Sequence, residues 1–228
     1  MNGGFLSRVT LRRDAPVQAL AQLLVPDGEG PRHGVAHHLL WTLFGDAPER
    51  RRDFLWRQVE AGHFMVLSAR EPIDAHSLFD IETRPFEPAL EAGDRLRFLL
   101  RANATVDRKA PERARSQRHD VVMDALHRLP RHERVEAREG MVASALDSWT
   151  GRQGARAGFA LTAPVAVEGC DVWRIPRSGG RGMMSFGVVE LTGELRVTVP
   201  ETFLGAIMQG FGRARAFGCG LMLIRRAI

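Results

Sequence analysis

Along this chain the hydrophobic period switches repeatedly between two residues and about 3.6, and the order of the switches limits the folds open to it. FLSRVTLRR (5–13) sets Phe5, Ser7, Val9 and Leu11 against Leu6, Arg8, Thr10 and Arg12, the pattern of a strand with a wet, basic side near its end. A polar Gly/Pro-containing stretch, VPDGEGPRHG (25–34), predicts a loop. From Val35 the spacing turns helical: Val35, Leu39, Leu40, Leu43 and Phe44 share one face, and Gly45 stands where a C-cap is expected. RRDFLWRQVEAGHFMVLSAR (51–70) predicts two extended arms around Ala61-Gly62, although Phe54, Leu55 and Gln58 also fit a helical start. PIDAHSLF (72–79) predicts a short helix. IETRPFEP (81–88) predicts an edge strand, because Pro85 has no N–H to give a central ladder.

The second half repeats the order. RLRFLLRANAT (95–105) is a strong strand pattern. Val106–Arg118 is poor in apolar residues and rich in arginine, which predicts an exposed, mobile basic loop. HDVVMDALHRL (119–129) is amphipathic and stops at Pro130; a second helix is expected from about Val135 to Trp149. GFALTAPVAVEGCDVWRIPR (158–177) predicts a hairpin around Glu168-Gly169, FGVVELTGELRVTVP (186–200) a strand with a turn or bulge at Gly193, TFLGAIMQG (202–210) a short helix and GLMLIRR (220–226) a final strand. Strand–helix–strand–strand–helix–strand, twice, is the order of the split β-α-β unit. The expected fold class is therefore α+β, two tandem ferredoxin-like domains over residues 1–92 and 93–228. This topology carries many functions, so it does not name one.

Composition excludes more than it selects. At 44% hydrophobic and 26% charged the 228 residues are those of an ordinary globular chain. No apolar run approaches the roughly 20 residues of a membrane span. The N-terminus lacks a basic-then-apolar signal pattern. Cys170 and Cys219 are too few for a disulfide framework and lack zinc spacing. A reducing, cytoplasmic setting with no membrane contact is expected. The net charge is +5, Lys109 is the only lysine, so 31 of the 32 basic residues are arginine, and tyrosine is absent. Arginine forks onto phosphates and stacks on bases. A GC-rich genome favours the same residue, so placement has to decide.

Placement singles out two stretches. GFGRARAFGCG carries Gly210, Gly212, Gly218 and Gly220 around Arg213 and Arg215, where backbone and guanidinium can approach a phosphate together. No Gly-Lys-Ser/Thr follows, which excludes a Walker loop, and the helix–loop–strand order disfavours a dinucleotide fingerprint. A flexible turn is the structural alternative. In HGVAHHLLWTLFGD, His33 and His37 fall four apart on one helix face, while His38 projects about 100° away. No third ligand supports a metal there. An imidazole near neutral pH suits proton transfer, including from a ribose 2′-hydroxyl; a solvated helix start is the alternative.

FLSRVTL, HHLLWTLFGDAPERRRDFLWR, RANAT, RHDVVMDALHRLP and GFGRARAFGCGLMLIRRA, taken in order, resemble one family: the CRISPR repeat-processing endoribonucleases of type I-E systems, called CasE, within the wider group of repeat-associated RNases. The resemblance spans most of the chain. It implies tandem ferredoxin-like domains that cut the repeat of a CRISPR precursor RNA beside its stem-loop, with no metal or other cofactor, and that stay bound to the hairpin among the other subunits of Cascade. The family's catalytic histidine lies four residues before the Trp of a Leu-Trp pair, here His37 before Trp41. Family members usually carry a tyrosine three residues before that histidine; here the position is Gly34. His33, an arginine from elsewhere or water would then cover its role. The expected phosphate contacts are Arg108, Lys109, Arg113, Arg115 and Arg118 of the basic loop, Arg152 and Arg156, and Gly210, Gly212, Arg213, Arg215, Gly218 and Gly220. A non-catalytic RNA-binding scaffold is the alternative. A DNA-binding regulator lacks a convincing helix-turn-helix.

Overall fold

A computed structural model describes residues 3–12, 14, 29–45, 51–109, 116–128, 130, 138–177 and 182–227; within 29–34 it describes the backbone alone. The first sheet is built from β1 (Gly4–Leu11), β2 (Phe54–Glu60), β3 (His63–Ser68) and β4 (Phe79–Phe86), with α1 (Glu29–Trp41) between β1 and β2. The strand order is β2-β3-β1-β4, antiparallel throughout. That is the ferredoxin-like order. Pro85 pairs with Phe5 on β4, an edge strand, so its missing N–H costs no ladder bond.

Residues Ala36, Leu40, Leu43 and Phe44 repeat at helical spacing. They bury against Val9, Phe54, Trp56, Phe64, Val66 and Phe79 of the sheet. Full burial of each large apolar side chain contributes about 1.5–3 kcal/mol. The helix differs from expectation at both ends. Where the predicted loop 25–34 is described, from Glu29, its backbone is already helical. Three i→i−3 bonds, to the carbonyls of Leu39, Leu40 and Trp41, tighten the chain over Thr42–Phe44, so α1 closes four residues before Gly45.

The predicted helix over 72–79 is not formed. The Asp74 carboxylate accepts from the backbone N–H of His76 (3.2 Å) and Phe79 (2.7 Å), and Ser77 takes φ 53°. A local side-chain turn has outcompeted one turn of helix. Among the described residues the first unit thus has the ferredoxin-like strand order without its second helix.

The second sheet comprises β5 (Arg95–Ala102), β8 (Phe159–Leu161), β9 (Ala166–Pro176), β10 (Met183–Val197) and β11 (Met222–Arg226), in the order β11-β5-β10-β8 with β9 also on β10. Helices α2 (Val121–His127), α3 (Arg138–Ala157) and α4 (Pro200–Gln209) complete the unit. Leu146 and Trp149 of α3 and Phe203 and Ile207 of α4 bury against Leu96, Phe98, Leu100, Leu191 and Leu195.

Four expectations need correction here. The basic segment is ordered at both ends: β6 (Thr105–Arg108) pairs with β7 (Gln117–Asp120), and the Asp120 side chain caps α2, which therefore starts at Val121. Residues 110–115, with Arg113 and Arg115, lie outside the described residues. The α3 helix runs to Ala157, eight residues past Trp149. Glu168-Gly169 is not a hairpin turn. β9 passes straight through it, with Glu168 bulged out between the pairs Glu190–Gly169 and Leu191–Val167. Gly193 makes no turn either; it pairs with Phe98 inside β10, and a Cβ there would meet the Phe98 ring at 2.9 Å.

The two units share packing. Leu55 and Leu67 of the first sheet belong to the core of the second, and α1 touches β9 and the one-turn 3-10 helix Arg215–Phe217. No helix among the described residues is long and apolar enough to cross a membrane.

Candidate functional site

His37 sits on α1 where that helix meets the glycine-rich segment. Trp41, one turn further on, donates its indole N–H to His37 Nε2 at 2.9 Å. The His38 ring stands at 5.5 Å and the Phe217 ring, from the glycine-rich segment, at 6.5 Å. Burial lowers the His37 pKa from 6.5 to about 4; His38 and then Arg52 push the same way. His37 is thus neutral at pH 7, a proton acceptor within the field of the Arg52 guanidinium. The His33 backbone lies in α1 and its side chain lies outside the described residues, so the helical spacing of the two histidines is present in the backbone alone.

Arg52, in the segment ahead of β2, is half-buried, and so is Arg215 on the 3-10 turn. Burial lowers the pKa of both. Arg215 adds to the effect on Arg52, and Arg213 to that on Arg215. Two loops far apart in the sequence therefore set Arg215 against Arg52, which in turn acts on His37, with Arg213 beside Arg215. Such a cluster is tolerated where an anion completes it.

The glycine-rich segment is a packed latch. Phe211 N–H bonds Gly220 O (2.9 Å), Gly220 N–H bonds Arg101 O (2.7 Å), and Arg213 N–H bonds Asn103 O (3.1 Å). Gly212 has φ 72° and lies so close to β5 that a Cβ would stand 2.7 Å from Asn103 O. Gly218 has φ 82° and faces the Trp56 ring, 3.1 Å from where its Cβ would be. Gly210 and Gly220 border the same segment, against Leu55 and Phe211. Cys219 is fully buried inside it, and that burial raises its pKa to about 12, so it offers no thiolate at neutral pH.

Below this segment Glu190 of β10 accepts from Arg57 Nη2 (2.9 Å) of the first sheet and from Arg101 Nε of the second. Arg101 also bonds Gln58 O (3.1 Å) and lies over the Trp173 ring. Rings continue from Trp173 through Phe186 and Phe217 to His37.

The other expected contacts fall into a second group. Arg108 is bound by Asp124 (2.7 Å), which also holds Arg128, and these line a groove of about 240 Å³ with Arg152 of α3. Arg118 pairs with Asp107 (3.1 Å). Lys109 and Arg156 are exposed at the end of β6 and in the last turn of α3. So the structure gathers His37, Arg213 and Arg215 in one place, and Arg108 with Arg152 in another. Sequence reasoning missed Arg52, Trp41 and Phe217. The first had a signal in the run Arg50-Arg51-Arg52 before a strand, and the second in its spacing of four from His37. Among the described residues no three His, Cys, Asp or Glu side chains gather as a metal site requires.

Two ferredoxin-like units are joined across a half-buried histidine and an arginine-bearing glycine loop. The sequence matches the family described as "CRISPR associated protein" over residues 5–226, and the chain belongs to that family. It is similar to the CRISPR system Cascade subunit CasE of Escherichia coli strain K12, 26% identical over 198 residues, which cover 82% of this chain and 88% of the relative. Its fold is that of Thermus thermophilus Cse3 bound to an RNA representing a pre-cleavage complex, with TM-score 0.67, 23% identity, and 97% and 98% of the two chains covered. Cas6e from E. coli strain K-12 has the same fold, with TM-score 0.56, 20% identity, and 98% and 100% covered.

Proposed function

We propose that this chain is a CRISPR endoribonuclease that cuts precursor RNA within the repeat, beside the stem-loop, and remains on the product hairpin as a subunit of a Cascade complex. Family membership supports the setting, as do relatives described as a Cascade subunit and as an endoribonuclease bound to RNA. The observation that carries the chemistry is His37: a neutral imidazole beside Arg52 and Arg215, two guanidinium groups that repel each other until a phosphate arrives.

The reaction is in-line attack by the ribose 2′-oxygen. His37 accepts the 2′-hydroxyl proton, contributing on the order of 10²–10⁴-fold. Arg52 and Arg215 offset the charge that builds on the phosphorane. The products are a 2′,3′-cyclic phosphate and a 5′-hydroxyl, and no metal takes part. We place the boundary between the two units at residues 92/93. Arg108, Lys109, Arg152 and Arg156, with Arg118, Arg113 and Arg115, bind the stem by shape and backbone, as A-form RNA requires.

The test is single-turnover cleavage of a synthetic repeat RNA from an adjacent array. His37→Ala should abolish cutting and leave affinity nearly intact, a 2′-deoxy nucleotide at the cut should block it, and EDTA should change nothing. Wild type that binds the hairpin and leaves it whole would make the chain a scaffold, the reading that Gly34 in place of the usual tyrosine favours.

A further inference from the structure

The bond from Trp41 to His37 determines which nitrogen of the catalytic ring does the work. A nitrogen that accepts an N–H at 2.9 Å carries no proton of its own. The neutral ring therefore holds its proton on Nδ1 and its basic lone pair on Nε2. An indole N–H only donates, so Trp41 can direct the ring and cannot itself act as a base. The indole is braced in turn: Phe54 of β2 meets it edge to face at 5.3 Å, while Phe217 and His38 flank the imidazole. The titratable groups that act on the ring are His38 on α1 and Arg52 ahead of β2; on the glycine loop, Arg215 acts on Arg52 and Arg213 on Arg215. β9, which also packs on α1, carries Glu168, Asp171 and Arg174.

We infer that Trp41 is a positioning residue for the proposed cleavage: its indole N–H occupies His37 Nε2 in the place of the substrate's 2′-hydroxyl, and fixes the ring as the Nδ1–H tautomer until RNA takes over the bond. This rests on the ribonuclease reading above. The exchange swaps one donor for another, so the ring keeps its tautomer as substrate enters. The 2′-hydroxyl proton then passes to Nε2, the 2′-oxygen bonds to phosphorus, and the P–O5′ bond breaks. The leaving 5′-oxygen takes a proton from water, and the imidazolium proton neutralises the hydroxide left behind.

The test uses the full chain with 15N-labelled histidine. Ring 15N shifts of His37 in the free wild-type protein should report the Nδ1–H tautomer from neutral pH down to its titration near 4. Two variants remove the donor: Trp41→Phe, and Trp41 replaced by benzothienylalanine, which keeps the bicyclic shape. Both should show mixed tautomers and a titration midpoint raised by about one pH unit, the worth of one hydrogen bond to the neutral form. The acid limb of their single-turnover cleavage should move up equally, with RNA affinity unchanged. A wild-type ring protonated on Nε2 overturns the inference without any variant. So does an unaltered tautomer and midpoint in the benzothienyl protein. If the ring behaves as expected and wild type cuts no repeat RNA, the ribonuclease reading and the exchange fall, while the hold of the indole on the ring stands.

Discussion

At the scale of single residues, the environment of His37 makes a signed prediction about pH. Its folded pKa lies near 4, below the 6.5 of an exposed histidine. Between those values the unfolded chain binds the extra proton, so the stability contributed by the neutral ring is complete above about pH 6.5. It is lost as pH falls through 4. For the reaction, kcat/KM reports the free enzyme, so its acid limb should fall near pH 4 to 5 rather than near 6.5. A rate profile with a midpoint at 6.5 would mean that the ring is solvated and the burial irrelevant. Arg52→Ala and Arg215→Ala should each lower the single-turnover rate by about 10²-fold, as the loss of one donor to developing charge does. Arg52→Ala should also raise the His37 pKa, because a repelling cation has gone. The two stretches that hold His37 and Arg215 stood out in sequence by residue type and glycine spacing, while His37 was singled out among the histidines only by the family resemblance. Arg52 was not, because only the fold brings the start of β2 beside the last loop.

Elements were legible where one periodicity acts alone. The strand β5 alternates cleanly and α4 repeats its apolar face, so each falls close to where its pattern places it. The failures share a cause: a local side chain or neighbour overrode the pattern. Asp74 captured two backbone N–H groups and made a turn of a helical sequence. A bulge at Glu168 absorbed a Glu-Gly pair that has the composition of a hairpin. The glycine-rich segment shows the opposite relation, a motif whose glycines also have a packing reason. Gly212→Ala must hold a side chain at φ 72° with its Cβ 2.7 Å from the Asn103 carbonyl. Strained backbone costs about 1–3 kcal/mol before any clash. Denaturant unfolding should show a loss of at least that size. Gly205→Ala, inside α4 with nothing within 4 Å of its Cβ, should stabilise by a few tenths of a kcal/mol up to about 1. Equal midpoints for the two would show that the segment is a loose turn rather than a latch.

For the whole molecule, the question is what makes two sheets one site. His37 comes from the first unit and Arg215 from the second, so their relative placement depends on contacts that cross the join. Glu190 makes one of the polar ones, to Arg57. It takes Arg57 from the first sheet and Arg101 from the second, with side chains only 11%, 16% and 20% exposed for Arg57, Arg101 and Glu190. Burial lowers the Arg57 pKa and Glu190 opposes that, while Arg101 adds to it. The carboxylate therefore holds together two guanidinium groups that would otherwise repel. Glu194 is the natural control: it also holds two arginines, Arg95 and Arg97, on the open face, where these are 62% and 49% exposed. An exposed pair is worth about 0–1 kcal/mol, whereas removing one partner of a buried pair costs about 3–5. Glu190 lies between those limits, so Glu190→Ala should cost about 2–3 kcal/mol in denaturant unfolding, and Glu194→Ala clearly less. Because the loss falls at the join, Glu190→Ala should also slow cleavage under conditions where the protein is still folded. Glu194→Ala should cut at the wild-type rate. Equal effects of the two substitutions on stability and rate would show that Glu190 is one more surface carboxylate, and that apolar contacts such as Leu55 and Leu67 in the second core hold the site together unaided.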